Sequence, residues 1–179
     1  MAGSDHFYGR KNPGITVKFC GCLLLQEIFR KKEREDENMS ETSVNQRKVA
    51  MIGCGFVGSA TAFALMESGL FSEMVLIDAD KNRAEGEALD ISHGLPFARP
   101  MKIYAGDYDD IVDAAIIIVT AGANQKPDET RLDLVQKNVG IFKSIIPEIA
   151  KRNCGGILLI VSNPVDILTY TALKLSGFP

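Results

Sequence analysis

The feature that most constrains the fold is a glycine-rich segment, KVAMIGCGFVGSA at residues 48–60. An apolar run meets Gly53, Gly55 and Gly58, and small residues with helical preference follow, which predicts the strand, tight turn and helix start of a dinucleotide-binding unit. Gly53 permits the sharp turn, Gly55 lets the backbone approach a pyrophosphate, and Gly58 lets the helix pack closely on its strand. The helix N-terminus then offers free N–H groups to the phosphates.

An acidic residue follows the next apolar run, MVLI at residues 74–77. The spacing from Gly53 to Asp78 is close to the ~20 residues expected for a carboxylate that binds an adenosine ribose. Such a carboxylate accepts hydrogen bonds from both ribose hydroxyls and repels a 2′-phosphate, which favours NAD over NADP. The alternative interpretation of Asp78 is a solvated residue that caps the next helix.

Composition excludes several classes of protein. The chain has 179 residues, 46% of them hydrophobic, and a net charge of −3, so it is large enough for one globular domain and has no basic excess for nucleic acid. The cysteines form no CxxC pair and have no histidine-rich neighbourhood, so we expect no metal site, no disulfide framework and a cytoplasmic location. They are Cys20, Cys22, Cys54 and Cys154. Cys54 is either a small turn residue or a thiol that oxidants modify.

Residues 1–38 do not share the strand and helix patterns that follow them. An apolar patch at 17–29 precedes a charge run at 30–37. The patch is too short to span a membrane, and no small-residue cleavage site precedes the charges. We interpret 1–38 as an N-terminal extension outside the domain, either a gene-model artefact or a disordered segment, and expect a short helix with a solvated charge run if it is translated.

The domain itself is predicted over residues 46–179. Continuous apolar runs at 49–52, 74–77, 115–119 and 157–161, with a shorter run near Ile103, are typical of parallel strands covered on both faces. Helical stretches between them indicate an α/β fold with a doubly wound parallel sheet. Ligands of such a sheet gather outside the carboxyl ends of its strands. Those ends carry Gly53, Asp78, residues 120–122 and residues 162–164.

A long amphipathic helix is predicted over residues 131–152, between the apolar runs at 115–119 and 157–161. Its apolar residues recur every three or four positions and form one face for packing on the sheet. Pro147 lies in its interior, so we expect a kink or a break into two helices there. The apolar positions are Leu132, Val135, Val139, Phe142, Ile146 and Ile149.

Four motifs together resemble a known family. They are GCGFVG (53–58), LDISHG (89–94), TAGANQKPDETRLDLVQKN (120–138) and VSNPVDILTY (161–170). In this order and spacing they resemble the NAD-dependent L-lactate dehydrogenases, bacterial type, of the lactate/malate dehydrogenase family, over residues 39–179. The resemblance implies the NAD-binding Rossmann-like half of an oxidoreductase that interconverts (S)-lactate and pyruvate by hydride transfer. It also implies a homo-oligomer, a tetramer when complete, that acts on a small molecule.

The resemblance assigns roles to individual residues. Arg131 matches the catalytic arginine that polarises the substrate carbonyl, and Gln125 matches the residue that contacts the other substituent. Malate dehydrogenases carry an arginine there to pair with a second carboxylate, so Gln125 favours pyruvate and lactate. Asn163 matches a residue that hydrogen-bonds the substrate oxygen. Without the resemblance, Arg131 is an ordinary helix-start residue and Asn163 before Pro164 is a common turn choice.

The cofactor-binding positions implied by the same resemblance fall into three groups along the sheet edge. They are Gly53, Gly55, Val57 and Gly58 in the glycine turn, Asp78, Arg83 and Tyr108 on the adenosine side, and Gly122, Ala123, Ser144, Val161, Ser162 and Asn163.

Two departures from the family pattern stand out. Asp128 occupies a loop position where the family usually has glycine, which adds a negative charge near an anionic substrate. The family's proton-transfer histidine, its orienting aspartate and its carboxylate-clamping arginine all follow the segment that matches residues 176–179, as does the last strand. His93 could serve as a general base in place of the missing histidine, but we expect it to cap a helix or to lie on the surface. Because these catalytic residues are missing, the chain by itself is expected to be inactive. The alternatives are a malate-type fragment and a catalytically silent NAD-binding or interaction module.

Overall fold

The computed structural model describes residues 17–18, 44–125, 128–152 and 155–178. This part of the chain forms one six-stranded parallel sheet with helices on both faces. The strands lie side by side in the order β1-β6-β5-β2-β3-β4. In chain order the elements are β1 (Val17–Lys18), β2 (Asn45–Ile52), α1 (Phe56–Ser68), β3 (Glu73–Ile77), α2 (Lys81–Ser92), β4 (Lys102–Ala105), β5 (Ala114–Val119), α3 (Arg131–Lys151), β6 (Ile157–Ile160) and α4 (Val165–Ser176).

Burial on both faces explains why the strand sequences are continuously apolar. All six residues of β5 and the last five of β2 are buried. Neighbouring residues of a strand point to opposite faces, so the sheet divides the core into two layers. Ala50 and Ile52 pack with α3 and α4, whereas Val49 and Met51 pack with α1 and α2. The predicted doubly wound α/β fold, including the short strand near Ile103, is confirmed.

The long helix α3 corresponds to the predicted amphipathic segment, with two differences. A capping box between Thr130 and Asp133 starts it, and it continues through Pro147 as one helix, so the expected break into two helices is wrong. Buried side chains on both sides of the proline, Phe142 and Ile149, hold the helix on the sheet and offset the lost backbone hydrogen bond. The prediction that Leu132 lies on the packing face is wrong: it is 65% exposed, and its neighbours Arg131 and Asp133 in the first turn of α3 are exposed as well.

The strand β1 was not expected. Val17 and Lys18 pair in parallel with Leu158 and Leu159 of β6, so a short stretch of the N-terminal segment adds to the sheet. The remainder of residues 1–43 lies outside the described residues, and the interpretation of 1–38 as an extension stays a prediction. Within the described ranges, no helix has the length and apolar character needed to cross a bilayer.

A charge cluster ties the strands together at the amino edge of the sheet. Lys48 on β2 is 5% exposed, and its Nζ lies 2.7 Å from Asp113 Oδ1 and 3.4 Å from Glu73 Oε1. Tyr104 on β4 donates a 2.9 Å hydrogen bond to Glu73. Burial opposes charge on Lys48 and Glu73. The hydrogen bonds and opposite charges outweigh burial, so the pKa of Lys48 is raised and that of Glu73 is lowered.

We expect Glu73→Gln to lower the free energy of unfolding by about 1–2 kcal/mol at pH 7, because Lys48 loses one of its two anionic neighbours. The folded-state pKa of Glu73 lies below its ordinary 4.5. Its contribution is therefore present above that pH and lost as the pH falls through the lower folded value. Urea unfolding at pH 7 and pH 3 should show the difference from the original chain shrinking in acid. The control is Glu67→Gln on the exposed surface of α1, and a loss equal at both pH values would contradict the assignment.

Candidate functional site

The glycine turn after β2 is held by contacts too close for side chains. Gly53 has φ +101°, and its N–H donates to the carbonyl of Ile77 on β3 at 2.8 Å. A Cβ on Gly58 would overlap the carbonyl oxygen of Gly53, so α1 packs against the turn only because residue 58 is glycine. The hydroxyl of Thr120 donates to that same carbonyl at 2.7 Å. The turn is thereby fixed to the loop that follows β5.

The N-terminus of α1 opens toward solvent beside this turn. Gly55 is the N-cap residue, and no side chain caps the helix. A Cβ on Gly55 would meet no protein atom within 4 Å, unlike one on Gly58. The space beside Gly55 is therefore free for a ligand to approach the backbone. Free helix N–H groups and the positive end of the dipole favour a phosphate there. Val57, in the first turn of α1, is exposed next to this space.

Asp78 lies at the end of β3 and supports the turn. Its Oδ2 accepts the Cys54 N–H at 2.7 Å, and its Oδ1 accepts the Asp80 N–H at 2.9 Å. Each carboxylate oxygen has a second acceptor site, so both remain able to accept a ribose hydroxyl. The cap of α2 is Asp80, whose side chain accepts from Asn82 and Arg83. The alternative interpretation of Asp78 as the helix cap is therefore wrong.

A polar cavity of about 300 Å³ adjoins Asp78 on the β4 side. Its remaining lining includes three carboxylates and a single lysine. The negative charge of these carboxylates opposes a 2′-phosphate on a ribose bound at Asp78. The lining residues besides Asp78 are Lys81, Ala84, Glu85, Ala105, Gly106, Asp107 and Asp110.

Two other predicted positions lie on this side of the site. Arg83 is exposed in the first turn of α2. Tyr108 begins the short 3-10 turn after β4, and its ring lies 5.4 Å from the guanidinium of Arg152. Burial and the neighbouring Glu148 charge raise the pKa of Tyr108, so its hydroxyl stays protonated and able to donate a hydrogen bond.

The thiol of Cys54 is buried under the glycine turn. Burial, followed by the negative charge of Asp78, raises its pKa to about 12. A thiol that stays protonated at neutral pH is a poor nucleophile and reacts slowly with oxidants. Cys54 is a small turn residue, and the interpretation as an oxidant-sensitive thiol is not supported.

The loops after β5 and β6 meet through buried polar side chains. Asn138 on α3 accepts the Ala123 N–H at 2.8 Å and donates to the Asn163 carbonyl at 2.7 Å. Ser162 Oγ lies 2.7 Å from the carbonyl of Ala121 and donates to it. The backbones of the two loops are thus fixed to each other, while the side chain of Asn163 remains exposed. Gly122 is exposed in the first loop, and Val161 is half-buried in the second.

The substrate candidates lie where the first of these loops enters α3. Arg131 is the first residue of α3 and is exposed, and its side chain forms no hydrogen bond or ion pair within the described residues. The Gln125 Nε2 donates to the backbone carbonyl of Glu129 at 2.7 Å, which closes the loop on itself. Glu129 also pairs with Lys137, and Asp128 is exposed. Lys126 and Pro127 lie outside the described residues.

Two residues lie away from this edge. Ser144 lies roughly 20 Å from Arg131 along the axis of α3, given the rise of the helix. Its hydroxyl donates to the backbone carbonyl of Ile141 in the same helix. Its role as a cofactor contact stays a prediction. His93 is the C-cap of α2, which begins beside Asp78 and runs away from it, as expected for a cap.

The structure also gives roles to two residues of the 120–138 motif to which the sequence analysis assigned none, Thr120 and Asn138. Asn138 could have been found from the sequence, because it is a polar residue among apolar ones on the buried face of α3, one turn before Phe142. Among the described residues, no group of three or more His, Cys, Asp or Glu side chains is arranged to hold a metal ion.

A glycine turn, a carboxylate at the end of the neighbouring strand and two strand-end loops on one edge of a parallel sheet are the features of a Rossmann-type dinucleotide-binding domain. The model of the lactate/malate dehydrogenase NAD-binding domain matches residues 47–179. The chain belongs to this family and carries its NAD-binding domain. The open space at Gly55 and the spare acceptors of Asp78 fit the pyrophosphate and ribose of NAD.

Similar proteins share the name lactate dehydrogenase. L-lactate dehydrogenase 1 of Clostridium acetobutylicum is 60% identical over 132 residues, and L-lactate dehydrogenase of Priestia megaterium is 58% identical over 133. Each match covers 74% of this chain and 42% of the relative, so the chain spans less than half of their length.

Solved structures of lactate dehydrogenases also align with this chain. The minor L-lactate dehydrogenase of Enterococcus mundtii aligns with a TM-score of 0.72 at 44% identity, covering 75% of this chain and 43% of that one. MGS-M5, a lactate dehydrogenase from a Medee basin deep-sea metagenome library, aligns with a TM-score of 0.71 at 48% identity, with the same coverage of both chains.

The two glycines of the turn should separate ligand binding from stability. We expect Gly55→Ala to change the free energy of unfolding by about 1 kcal/mol or less, since its methyl group has room in the free protein. NADH binding should weaken by about tenfold or more, because that methyl group takes the space of the pyrophosphate. Gly58→Ala should instead cost about 2–3 kcal/mol of stability, because its Cβ overlaps Gly53. Urea unfolding and NADH fluorescence titration test both, and unchanged NADH affinity in Gly55→Ala would refute the site.

Proposed function

We propose that this chain is the NAD-binding part of an L-lactate dehydrogenase, an enzyme that interconverts (S)-lactate and pyruvate. The observation that carries the proposal is the placement of a ribose acceptor, a pyrophosphate turn and an unpaired arginine along one sheet edge, in a chain about 60% identical to proteins with that name. A cytoplasmic location and a homo-oligomeric complete enzyme, a tetramer as in the family resemblance, are part of this proposal.

The strand order supports one direction for the bound cofactor. Asp78 follows β3, and the glycine turn follows β2, the next strand in the sheet. A dinucleotide with its adenosine ribose at Asp78 and its pyrophosphate at Gly55 extends toward β5 and β6, on the other side of β2. Its nicotinamide end therefore lies at the loops after these two strands, the loops that contain Ala123 and Asn163.

NAD, when bound, supplies the hydride acceptor of lactate oxidation and, in its reduced form, the hydride donor to pyruvate. The guanidinium of Arg131 is exposed and unpaired within the described residues, so it is available to polarise a substrate carbonyl. The exposed side chain of Asn163 can donate a hydrogen bond to the same oxygen. We assign the second substituent of the substrate to Gln125, on the loop before Arg131, whose amide is neutral and whose Nε2 donates to the Glu129 carbonyl in the free chain.

The proton of the alcohol needs an acid and base that this edge does not provide among the described residues. The only histidine among the described residues is His93. It lies at the C-terminal end of α2, away from this edge. General acid–base catalysis typically contributes about 10²–10⁴-fold. We therefore propose that the isolated chain binds NAD but does not turn over pyruvate. The same observation favours a second candidate function, a catalytically silent NAD-binding or interaction module, and a malate-type fragment is the remaining alternative.

Replacing Asp78 tests the choice of cofactor. We expect the chain to bind NADH much more tightly than NADPH, and Asp78→Ser to narrow that gap by about tenfold, because the ribose loses its acceptor and a 2′-phosphate loses a repelling charge. Calorimetric titration with both cofactors measures the ratio. The control is Glu85→Gln, which removes one charge from the same cavity without touching the ribose position and should leave most of the gap. Equal affinities in the original chain would refute the assignment of Asp78.

Replacing Gln125 tests the substrate. In a chimera that joins this chain to the C-terminal remainder of the Clostridium acetobutylicum relative, we expect activity with pyruvate and a shift toward oxaloacetate in Gln125→Arg, of about tenfold or more in the ratio of kcat/KM values. The new arginine supplies a countercharge for the second carboxylate. The isolated chain is the control and should show no pyruvate-dependent NADH oxidation. An unchanged ratio would mean that residue 125 does not face the substrate.

A further inference from the structure

We propose that Asn138 is a positioning residue that sets the nicotinamide end of the cofactor site by joining the loop after β5 to the loop after β6. The proposal rests on the proposed function, because it concerns the end of NAD at which the hydride is exchanged. Asn138 itself is 2% exposed and is held among side chains of α3, so it acts through its two backbone partners.

The geometry uses both ends of one amide. Asn138 Oδ1 accepts the N–H of Ala123 at 2.8 Å, and its Nδ2 donates to the carbonyl of Asn163 at 2.7 Å. The amide also lies against Gly122, where a Cβ would come within 3.5 Å of it. Gly122, Ala123 and Asn163 belong to the two loops to which the proposed function assigns the nicotinamide. One side chain therefore determines the orientation of both peptide groups at that end.

Only a short primary amide satisfies both partners at neutral pH. Leucine has a similar volume but leaves the Ala123 N–H and the Asn163 carbonyl without a partner. Ionised aspartate accepts from Ala123 but presents a second acceptor to the Asn163 carbonyl, which repels it. Protonated aspartic acid regains a donor and can make both bonds. Burial at this position raises the pKa of a carboxylic acid, which favours the protonated form as the pH falls.

The adenosine end does not depend on Asn138. Asp78 is held by Cys54 and Asp80, and neither residue contacts the amide. Ser162 provides a second tie between the two loops through the carbonyl of Ala121, so replacing Asn138 loosens the loops without separating them. A change at Asn138 should therefore affect the nicotinamide end of a bound dinucleotide and spare the other end.

Two ligands that differ only at that end make the test. NADH and ADP-ribose share the adenosine and pyrophosphate, and ADP-ribose lacks the nicotinamide. In the full chain we expect Asn138→Leu to raise the Kd for NADH about tenfold and to leave the Kd for ADP-ribose within about twofold. Asp78→Ser should raise both. The control is Ile145→Val, a buried change on the same helix outside the loops, which should raise neither.

A second variant, Asn138→Asp, should bind NADH in a pH-dependent way. We expect Asn138→Asp to bind NADH about tenfold more weakly than the original chain at pH 8 and to recover most of that loss at pH 6, where the acid form again donates to Asn163. The original chain should change little over this range. This arm remains informative if Asn138→Leu does not fold.

Three results would overturn the proposal. Parallel loss of NADH and ADP-ribose in Asn138→Leu would show a general structural role, and unchanged NADH affinity would show no role. Asn138→Asp without recovery at pH 6 would show that the donated hydrogen bond is irrelevant. If the unaltered chain binds neither ligand, the proposed function itself fails, which is a separate outcome from a parallel loss in the variant alone.

Discussion

The close contact between Gly58 and Gly53 is the constraint on which the carboxyl edge of the sheet depends. Because no side chain separates them, α1 starts directly over the end of β2, and its free N–H groups face the space beside Gly55. Thr120 then joins the turn to the end of β5, and Asp78 joins it to the end of β3. Three strand ends are fixed relative to one helix N-terminus before any ligand arrives, which lowers the ordering cost of binding.

The strands were predictable from sequence because both of their faces are covered by helices. Continuous apolar runs reflect that cover directly, and the observed bounds differ from the predicted ones by a few residues. The helix α3 shows where sequence reasoning fails. Its spacing placed Leu132 on the packing face and suggested a break at Pro147, but a local pattern does not show where the sheet ends or how much buried surface supports a proline. The pairing of Val17 and Lys18 with β6 had no sequence signal at all.

The candidate site was predictable where a backbone requirement leaves a compositional trace, as at Gly53 and Gly58. It was less predictable where partners come from distant segments. The hydrogen bond from Cys54 to Asp78 and the bridge made by Asn138 join residues far apart in the sequence, and no motif encodes such pairs. A polar residue on an otherwise apolar helix face is the general signal for such a bridge, because a buried amide without partners would be costly.

The charge cluster around Lys48 lies at the opposite end of the strands from the ligand edge. Gly53 follows Lys48 by five positions, about 16 Å at the rise of a strand. Within the cluster Lys48 and Lys102 pair with Glu73 and Asp113, so these charges largely cancel and leave little net field at the ligand edge. Substitutions in this cluster can therefore change how stability depends on pH while the attraction for dinucleotide phosphates is preserved. The strands thus separate the end of the sheet whose charges respond to pH from the end that faces the dinucleotide.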